Sequence, residues 1–276
     1  MFLTTKTLLA FILWALAPLL HADDTLSLAG EWRFQLDPEN VGLTEAWQSE
    51  ILKDQVTLPG TTDTNQKGIQ RNERPDNRLA RPWYWKGAAW YQRDITIPEA
   101  WAGKRISLFL ERTKHTQIWV DDQYGGWDNS LSAPHLHNLS AFLSPGKHAL
   151  TLLIDNSRLP PVGPSHQIDE RTQTNWNGVV GKIELQATDP VWIADAQAYP
   201  NASKKEAKIK LVFKNATGHP ARGTVRLSGA SANVQPAKTL LPMEVPVNVE
   251  GDETTLEFIY QPGPDAPLWE EFSPAL

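Results

Sequence analysis

One stretch of the sequence gathers several amide and hydroxyl side chains around a single tryptophan. Residues 171–178 read Arg-Thr-Gln-Thr-Asn-Trp-Asn-Gly, so that amides and hydroxyls surround a single indole. Amides offer donors and acceptors, as a sugar hydroxyl does, and an indole face suits the C–H face of a pyranose. Asn175, Trp176 and Asn177 are therefore predicted ligand contacts. A second interpretation stays open for Trp176, since a buried structural tryptophan fits the same pattern.

A second group of aromatic residues lies upstream, where Trp83 and Trp85 stand among arginine, lysine and glycine. Such a mixture is typical of a surface that meets something flat and hydroxylated, so both tryptophans are predicted to contact the sugar. They belong to a polar segment, residues 61–88, which is either a functional loop or a solvated excursion. His166, in the proline-rich segment 159–168, is a further candidate for the same rim.

No residues in the sequence are arranged for breaking a glycosidic bond. A retaining glycoside hydrolase needs two facing carboxyl groups about 5 Å apart. The acidic residues examined for this role are the doublets at 121–122, 169–170 and 270–271, and neighbours on an extended strand point to opposite faces. His135 and His137 would share a strand face, but no third metal ligand accompanies them. We therefore expect no catalytic residue, no metal site and no cofactor in this chain.

The composition excludes several classes of protein. The formal net charge is −6 and the charges are interspersed, so nothing resembles the electrostatic footprint of a nucleic-acid-binding protein. Without cysteine the chain has neither disulfides nor thiolate chemistry. Lys6, an apolar run over residues 7–20 and Ala22 together predict a signal peptide over residues 1–22. The mature protein is accordingly expected to be exported, either to a periplasm or out of the cell.

Hydrophobic periodicity predicts β-strands through nearly the whole chain. Up to residue 190 these strands are short and separated by glycine, proline and aspartate turns, which favours a jelly roll or β-sandwich. The main predicted strands cover residues 26–36, 56–60, 89–97, 105–110, 117–121, 148–155 and 181–187. One short helix is predicted within residues 44–52, where Trp47 and Ile51 are at helical spacing.

A second unit is predicted after Asp189 and Pro190. Its loops are rich in asparagine, glycine, serine and proline, and its strands are predicted at residues 191–198, 207–213, 223–228, 243–249 and 254–260. Five strands within fewer than about a hundred residues are typical of an immunoglobulin-like sandwich. The predicted organisation is all-β, with a jelly-roll sandwich at 23–190 and an immunoglobulin-like domain at 191–276.

Several motifs, taken in order, give the sequence a family resemblance. Residues 28–34 (Leu-Ala-Gly-Glu-Trp-Arg-Phe), 56–60 (Val-Thr-Leu-Pro-Gly), 89–98, 108–121 and 175–185 are similar to successive strands of one family. They resemble the amino-terminal part of family 2 glycoside hydrolases, the group that holds β-galactosidases, β-glucuronidases and β-mannosidases. The motifs cover about residues 27–190, and residues 191–276 fit the immunoglobulin-like domain that comes next in that family.

The resemblance implies a sugar-binding, galactose-binding-like jelly roll from an exported exo-glycosidase of a β-galactosidase-like kind. In this family the acid/base and nucleophile glutamates lie on a later (β/α)8 barrel. The partners implied are therefore a carbohydrate substrate and a downstream barrel of the same polypeptide. In some β-galactosidases of the family the jelly roll contributes polar side chains to the rim of the active site. The positions of this sequence that correspond most nearly are Asp155, Asn156 and the loop 78–85. Lys182 stands where the family commonly has arginine.

Two other functions stay open from the sequence. A free-standing carbohydrate-binding module could use Trp83, Trp85 and Trp176 as a stacking platform, and a pair of purely structural sandwiches could serve a surface protein. The sequence ends within a resemblance to the strand that precedes the family's barrel, which favours the enzyme portion over a complete lectin. An unpaired strand edge there would also promote association, so a homo-oligomer is a further hypothesis.

Overall fold

The first part of the chain forms two antiparallel sheets with a hydrophobic core between them. A computed structural model describes residues 25–72, 81–158, 175–231, 238–268 and 271–272. The larger sheet has six strands, in the spatial order β10 (Gln123–Asp128), β9 (His115–Val120), β12 (Gly146–Asp155), β7 (Ala88–Ile97), β2 (Gly30–Asp37) and β3 (Asp54–Leu58). The smaller sheet runs β1 (Thr25–Ser27), β13 (Gly178–Thr188), β8 (Arg105–Arg112) and β11 (His135–Asn138), with β4 (Gly60–Thr61) also paired to β13.

Alternation along these strands builds the core. In β2 the side chains of Trp32 and Phe34 are buried while their neighbours are exposed or half-buried, as expected when every second residue points to one face of a sheet. Tyr91 from β7 packs on Phe34, with ring centroids 5.0 Å apart. Leu108 of β8 belongs to the same buried cluster from the opposite sheet. The predicted all-β fold is confirmed for this part of the chain.

The outer face of the larger sheet is covered as well. Trp90 and Trp119 stack at 5.3 Å within a smaller buried cluster, and Trp47 packs on Trp90 at 6.1 Å. The short helix predicted within residues 44–52 is present as a single 3-10 turn, Trp47–Ser49, with turn residues before it. The contact of Trp47 with Trp90 outweighs the weak local helical spacing.

The second unit has the five predicted strands and its own buried cluster. One sheet consists of β14 (Val191–Asn201), β15 (Glu206–Asn215) and β18 (Glu253–Tyr260), and a second pairs β16 (Ala221–Leu227) with β17 (Met243–Val249). Both sheets contribute to the cluster, for example Phe213 from β15 and Val249 from β17. The Arg105 guanidinium lies over the Trp192 ring, 4.5 Å from its centroid, and so links the two units.

The remaining elements are short. A two-stranded ribbon, β5 (Ile69–Gln70) and β6 (Trp83–Tyr84), lies in the polar segment 61–88, and 3-10 turns occur at Glu99–Trp101 and Ala202–Lys204. Within the part of the chain that the structure describes, no helix is long and apolar enough to cross a bilayer. The predicted signal peptide at 1–22 lies outside the described residues.

Candidate functional site

Asn177 ties three segments together at the end of the sandwich where β12 ends and β13 begins. Its side-chain oxygen accepts a hydrogen bond from the Tyr91 hydroxyl at 2.8 Å. Its amide group donates to the carbonyl oxygens of Gly87 and Ile154, at 3.0 and 2.8 Å. The residue is fully buried, and both of its polar groups are engaged. The predicted contact of Asn177 with a sugar is therefore corrected to a structural role, because hydrogen bonds within the protein already occupy its amide oxygen and nitrogen.

Asn156 has a similar role one strand away. Its side-chain oxygen accepts from the Gly87 amide at 2.9 Å, and its amide group donates to the Trp85 carbonyl at 3.0 Å. The side chain is fully buried and bridges the turn that leads into β7. The predicted rim contact of Asn156 is corrected in the same way. Asn156 and Asn177 together fix the turn from which Trp85 projects.

Asn175 is only partly engaged. Its amide group donates to the Asn156 carbonyl at 2.6 Å, but its side-chain oxygen, in a residue that is 2% exposed, has no hydrogen-bond partner among the described residues. An orphaned buried acceptor in a native structure calls for an explanation such as a ligand or an ordered water. Of the three predicted asparagines, Asn175 is the one with a free acceptor.

Trp176 lies between two buried asparagines of this network and is itself half-buried. The Lys114 ammonium lies 4.6 Å from the centroid of its ring, within the range of a cation–π contact. Lys114 itself is only 7% exposed. Burial, with a smaller contribution from the nearby Arg81 guanidinium, lowers the pKa of Lys114 to about 8. The indole therefore combines structural packing with a partly open face beside a buried charge.

The two upstream tryptophans differ in what they can offer. Trp83, in β6, is half-buried, and its backbone N–H donates to the Asp63 carboxylate at 2.8 Å. Trp85 is 9% exposed and belongs to the main hydrophobic cluster. The prediction that Trp85 forms part of a stacking platform is wrong, because its ring packs in the core. A contact between Trp83 and a sugar stays a prediction.

Asp155 lines a cleft of about 470 Å³ together with a second buried carboxylate, Asp37. One oxygen of Asp155 accepts from the backbone N–H and the hydroxyl of Ser157, at 2.8 and 2.6 Å, and the other lies 3.3 Å from the Arg158 guanidinium. The oxygens of Asp37 accept two backbone N–H groups and the indole N–H of Trp90. Both carboxylates thus fasten loops, which leaves neither placed as a proton donor or nucleophile.

The histidine pair behaves as a structural element. His135 and His137 share the buried face of β11, as predicted, and the Thr116 hydroxyl lies 2.8 Å from Nδ1 of His135 and 3.2 Å from Nε2 of His137. Among the described residues no group of three His, Cys, Asp or Glu side chains is placed to hold a metal ion. His166 lies outside the described residues.

Sequence reasoning missed Lys114 and Asp37. Lys114 is one of two polar residues between two strands, a pattern that ordinarily predicts an exposed turn. Asp37 ends β2 and reads as a turn residue for the same reason. An acidic residue at the last position of a strand with alternating aromatics hints that Asp37 caps the following loop, and nothing in the sequence marks Lys114 as buried.

Comparison with known proteins finds similarity to a domain of glycoside hydrolases. The sequence profile described as "Glycosyl hydrolases family 2, sugar binding domain" matches residues 25–189. A β-glucuronidase of Paenibacillus borealis is 26% identical over 254 residues, covering 77% of this chain and 41% of that protein. The chain therefore spans about two fifths of the length of that relative.

Solved structures show the same fold at lower sequence identity. The chain resembles Bacteroides uniformis β-glucuronidase 2, in a structure covalently bound to cyclophellitol-6-carboxylate aziridine, with a TM-score of 0.66, 18% identity, and coverage of 91% of this chain and 29% of that one. A β-glucuronidase from an uncultured Clostridium species gives a TM-score of 0.58 at 18% identity, covering 91% and 41%. At such identities the likeness shows the fold alone.

Proposed function

Because the chain belongs to glycosyl hydrolase family 2, matching the profile of the family's sugar-binding domain over more than half of its length, we propose that it is the sugar-binding and spacer portion of an exported, retaining exo-glycosidase. In this proposal the jelly roll shapes one side of a substrate pocket whose acid and nucleophile reside on a (β/α)8 barrel elsewhere in the same polypeptide. Positioning groups of this kind hold the substrate in a reactive pose without taking part in bond breaking.

One observation carries the non-catalytic part of the proposal. Two buried carboxylates share a cleft, and both are engaged by the fold. Asp37 accepts hydrogen bonds from two loop N–H groups and an indole, and Asp155 from a loop N–H group and a hydroxyl while it also pairs with a guanidinium. A retaining mechanism requires one carboxyl free to attack and one free to donate a proton. Among the described residues this cleft is the place where paired chemistry could have resided, and its carboxylates are committed to the fold.

The substrate proposed is a β-glycoside, with a β-glucuronide ahead of a β-galactoside. The sequence motifs suggested a β-galactosidase-like enzyme, whereas the relatives named above are β-glucuronidases. One of those enzymes is bound to a compound whose name includes a 6-carboxylate. These names support a sugar acid as the substrate class. A free-standing lectin is the competing function, and the burial of Trp85 removes one member of its stacking platform.

The rest of the organisation belongs to the same proposal. Residues 191–276 would form the immunoglobulin-like spacer, supported by five strands in two small sheets around one cluster. Residues 1–22 would direct export and be removed. Self-association into a homo-oligomer would follow from apolar side chains on the exposed edge strand β14, such as Ile193 and Tyr199.

Activity assays on the purified chain test the proposal. We expect no hydrolysis of nitrophenyl β-glucuronide or β-galactoside, because both buried carboxylates of the described cleft are engaged by the fold. Turnover that disappears when Asp37 or Asp155 is changed to asparagine would refute the non-catalytic role. Galactose affinity in the micromolar range, measured by calorimetry, would instead support the lectin, since a domain that supplies one side of a pocket binds its sugar weakly.

A further inference from the structure

Two aromatic side chains are exposed on the outer face of the larger sheet, at the edge formed by β10. Trp127 and Tyr124 are 57% and 48% exposed, whereas aromatic rings ordinarily bury most of their surface. Their cross-strand partners in β9 are Gln117 and Trp119, and Trp119 belongs to the buried cluster of the same face. The cover of that face therefore ends at β10. Tyr124, Trp127 and Gln117 are called the aromatic platform below.

A β-bulge points both rings to the same side of the sheet. In a regular strand, residues three apart point to opposite faces. Here the register shifts between Tyr124 and Gly126, so that Tyr124 lies opposite Trp119 and Trp127 lies opposite Gln117, two positions further along β9. Gly126 supplies the positive φ of +113° at this point. Bulges re-aim side chains at functional sites, and they also protect a sheet edge from pairing with another chain.

Both rings are held from behind by the fold. Tyr124 packs on Trp119, with ring centroids 5.4 Å apart. Trp127 stacks on the His115 imidazole, with centroids 5.9 Å apart and an angle of 20° between the planes. Since each ring is packed on one side and about half exposed, its other side faces solvent. Rings fixed in this way lose little conformational entropy when a ligand stacks on them.

The aromatic platform also carries polar groups that the fold does not engage. Among the described residues, the Gln117 amide, the Tyr124 hydroxyl and the Trp127 indole N–H have no hydrogen-bond partner. An amide and a hydroxyl each donate and accept, as sugar hydroxyls do, and all three side chains are uncharged at neutral pH. A pyranose stacks its C–H face on a ring and bonds such groups, whereas an apolar protein surface would leave them unpaired. The chemistry therefore favours a neutral saccharide as the occupant.

We propose that the aromatic platform binds a chain of a neutral polysaccharide, with one pyranose ring on Trp127 and another on Tyr124. The two rings lie two strand positions apart along β9, about 7 Å, so one chain contacts both. The Gln117 amide, on the same face, bonds hydroxyl groups of that chain. The aromatic platform contains none of the residues of the candidate site described above, and its role is to hold the protein on a polymeric carbohydrate.

Affinity electrophoresis of the full chain in native gels tests the proposal, because a polysaccharide cast into the gel retards even a weakly binding protein. The neutral polymers are hydroxyethyl cellulose, xyloglucan, galactomannan and laminarin, and the acidic one is polygalacturonate. We expect retardation by at least one neutral polymer and none by polygalacturonate. Retardation by none of the neutral polymers would overturn the proposal, and so would retardation by polygalacturonate alone.

Variants locate the binding. Trp127→Ala and Tyr124→Ala should each weaken binding of the retarding polymer by about tenfold, because each removes one stacked ring. Trp127→Phe keeps a smaller ring and should lose less. Phe272→Ala is the matched control, since it removes an aromatic side chain of the second unit that is 89% exposed, and it should change nothing. Undiminished retardation of Trp127→Ala, or an equal loss in Phe272→Ala, would contradict the assignment.

NMR of the native chain gives a readout that does not depend on how well a variant folds. On addition of oligosaccharides cut from the retarding polymer, the indole N–H signal of Trp127, assigned from its absence in Trp127→Phe, should shift. The indole N–H of Trp32, which donates to the Leu28 carbonyl at 2.9 Å within the core, should not. A Trp127 signal that stays in place while the oligosaccharide binds would overturn the proposal.

A second copy of the chain is the competing occupant of this exposed face, and sedimentation velocity separates the two. We expect the native chain and Trp127→Ala to sediment alike. A native chain that sediments as a larger species than Trp127→Ala, with equal retardation of both by the polymers, would identify the face as a protein interface and refute the polysaccharide site. The proposed function fails separately, through hydrolysis by the chain itself, so the two failures are distinguishable.

Discussion

Replacing Asn177 by alanine tests the assignment of this residue to the fold. The change leaves three buried groups without partners: the Tyr91 hydroxyl and the carbonyl oxygens of Gly87 and Ile154. Each unsatisfied buried group costs roughly 1–3 kcal/mol. Because a water molecule can enter the small space and recover part of the loss, we expect the free energy of unfolding to fall by about 4 kcal/mol.

The matched control is Asn248→Ala, in which an exposed asparagine of β17 loses a bond to Glu250. Its expected cost is within about 0.5 kcal/mol. Tyr91→Phe should cost about 1–2 kcal/mol, since it removes a single hydroxyl and leaves one orphaned acceptor. Burial raises the pKa of Tyr91, so this hydroxyl stays a neutral donor at every accessible pH.

Urea denaturation followed by tryptophan fluorescence measures these differences, because the first unit holds nearly all the described tryptophans. The midpoint should shift while the slope with urea concentration stays constant, as expected when only stability changes. The double variant Asn177→Ala/Tyr91→Phe should show a coupling energy of about 1 kcal/mol. An Asn177→Ala cost within 1 kcal/mol of the Asn248→Ala control would refute the structural role and restore Asn177 as a candidate ligand contact.

Two further predictions concern other parts of the jelly roll. Burial, and to a smaller extent the neighbouring His135, lowers the pKa of His137 from 6.5 to about 4. Because the unfolded chain then binds the proton more readily than the folded one, the free energy of unfolding should be full above about pH 6.5. It should decline by roughly 3 kcal/mol as the pH falls to about 4. Urea midpoints across this range measure the decline, and a His137→Gln variant that retained it would contradict the assignment. Gly178→Ala should cost more than about 4 kcal/mol, because φ is +130° and the added Cβ would lie 2.2 Å from the Gly60 carbonyl oxygen. Gly218→Ala, also at positive φ but with open space around it, should cost only about 1 kcal/mol, and equal thermal shifts in the two variants would disprove the clash.

The strands were largely predictable because their information is local. Alternation in β2, with Trp32 and Phe34 on one face, requires only a pleated strand and one apolar partner surface. The helix predicted within residues 44–52 is shortened to one 3-10 turn, and Trp47 there packs on Trp90, from a strand some forty positions away in the sequence. The strands of the second unit were also predictable from local alternation. Each of its five predicted strands is present, with ends that differ from the prediction by a few residues.

Residue types in the sequence located the candidate site, but they did not show which of its side chains face a ligand and which bond the fold. The sequence pointed to the segment around Trp176 and to the end of β12, and the structure brings these two regions together through Asn156 and Asn175. Whether an asparagine faces a ligand or the fold depends on which carbonyl groups lie opposite, and those belong to other strands. Asn177 meets Gly87 and Ile154, which are far from it in sequence. For the same reason the burial of Trp85 could not be anticipated.

By itself, the sequence determined an all-β chain, the family to which its motifs belong, and the absence of cysteine chemistry. These properties follow from residue identity and short-range periodicity, which are fully present in the linear chain. Only the tertiary structure decided which polar side chains are engaged and with what: Asn156, Asn177 and Asp37 bond backbone groups, and Lys114 lies buried against an indole ring. Burial and hydrogen-bond partnership depend on contacts between distant segments, so they exist only once the two sheets have closed on each other.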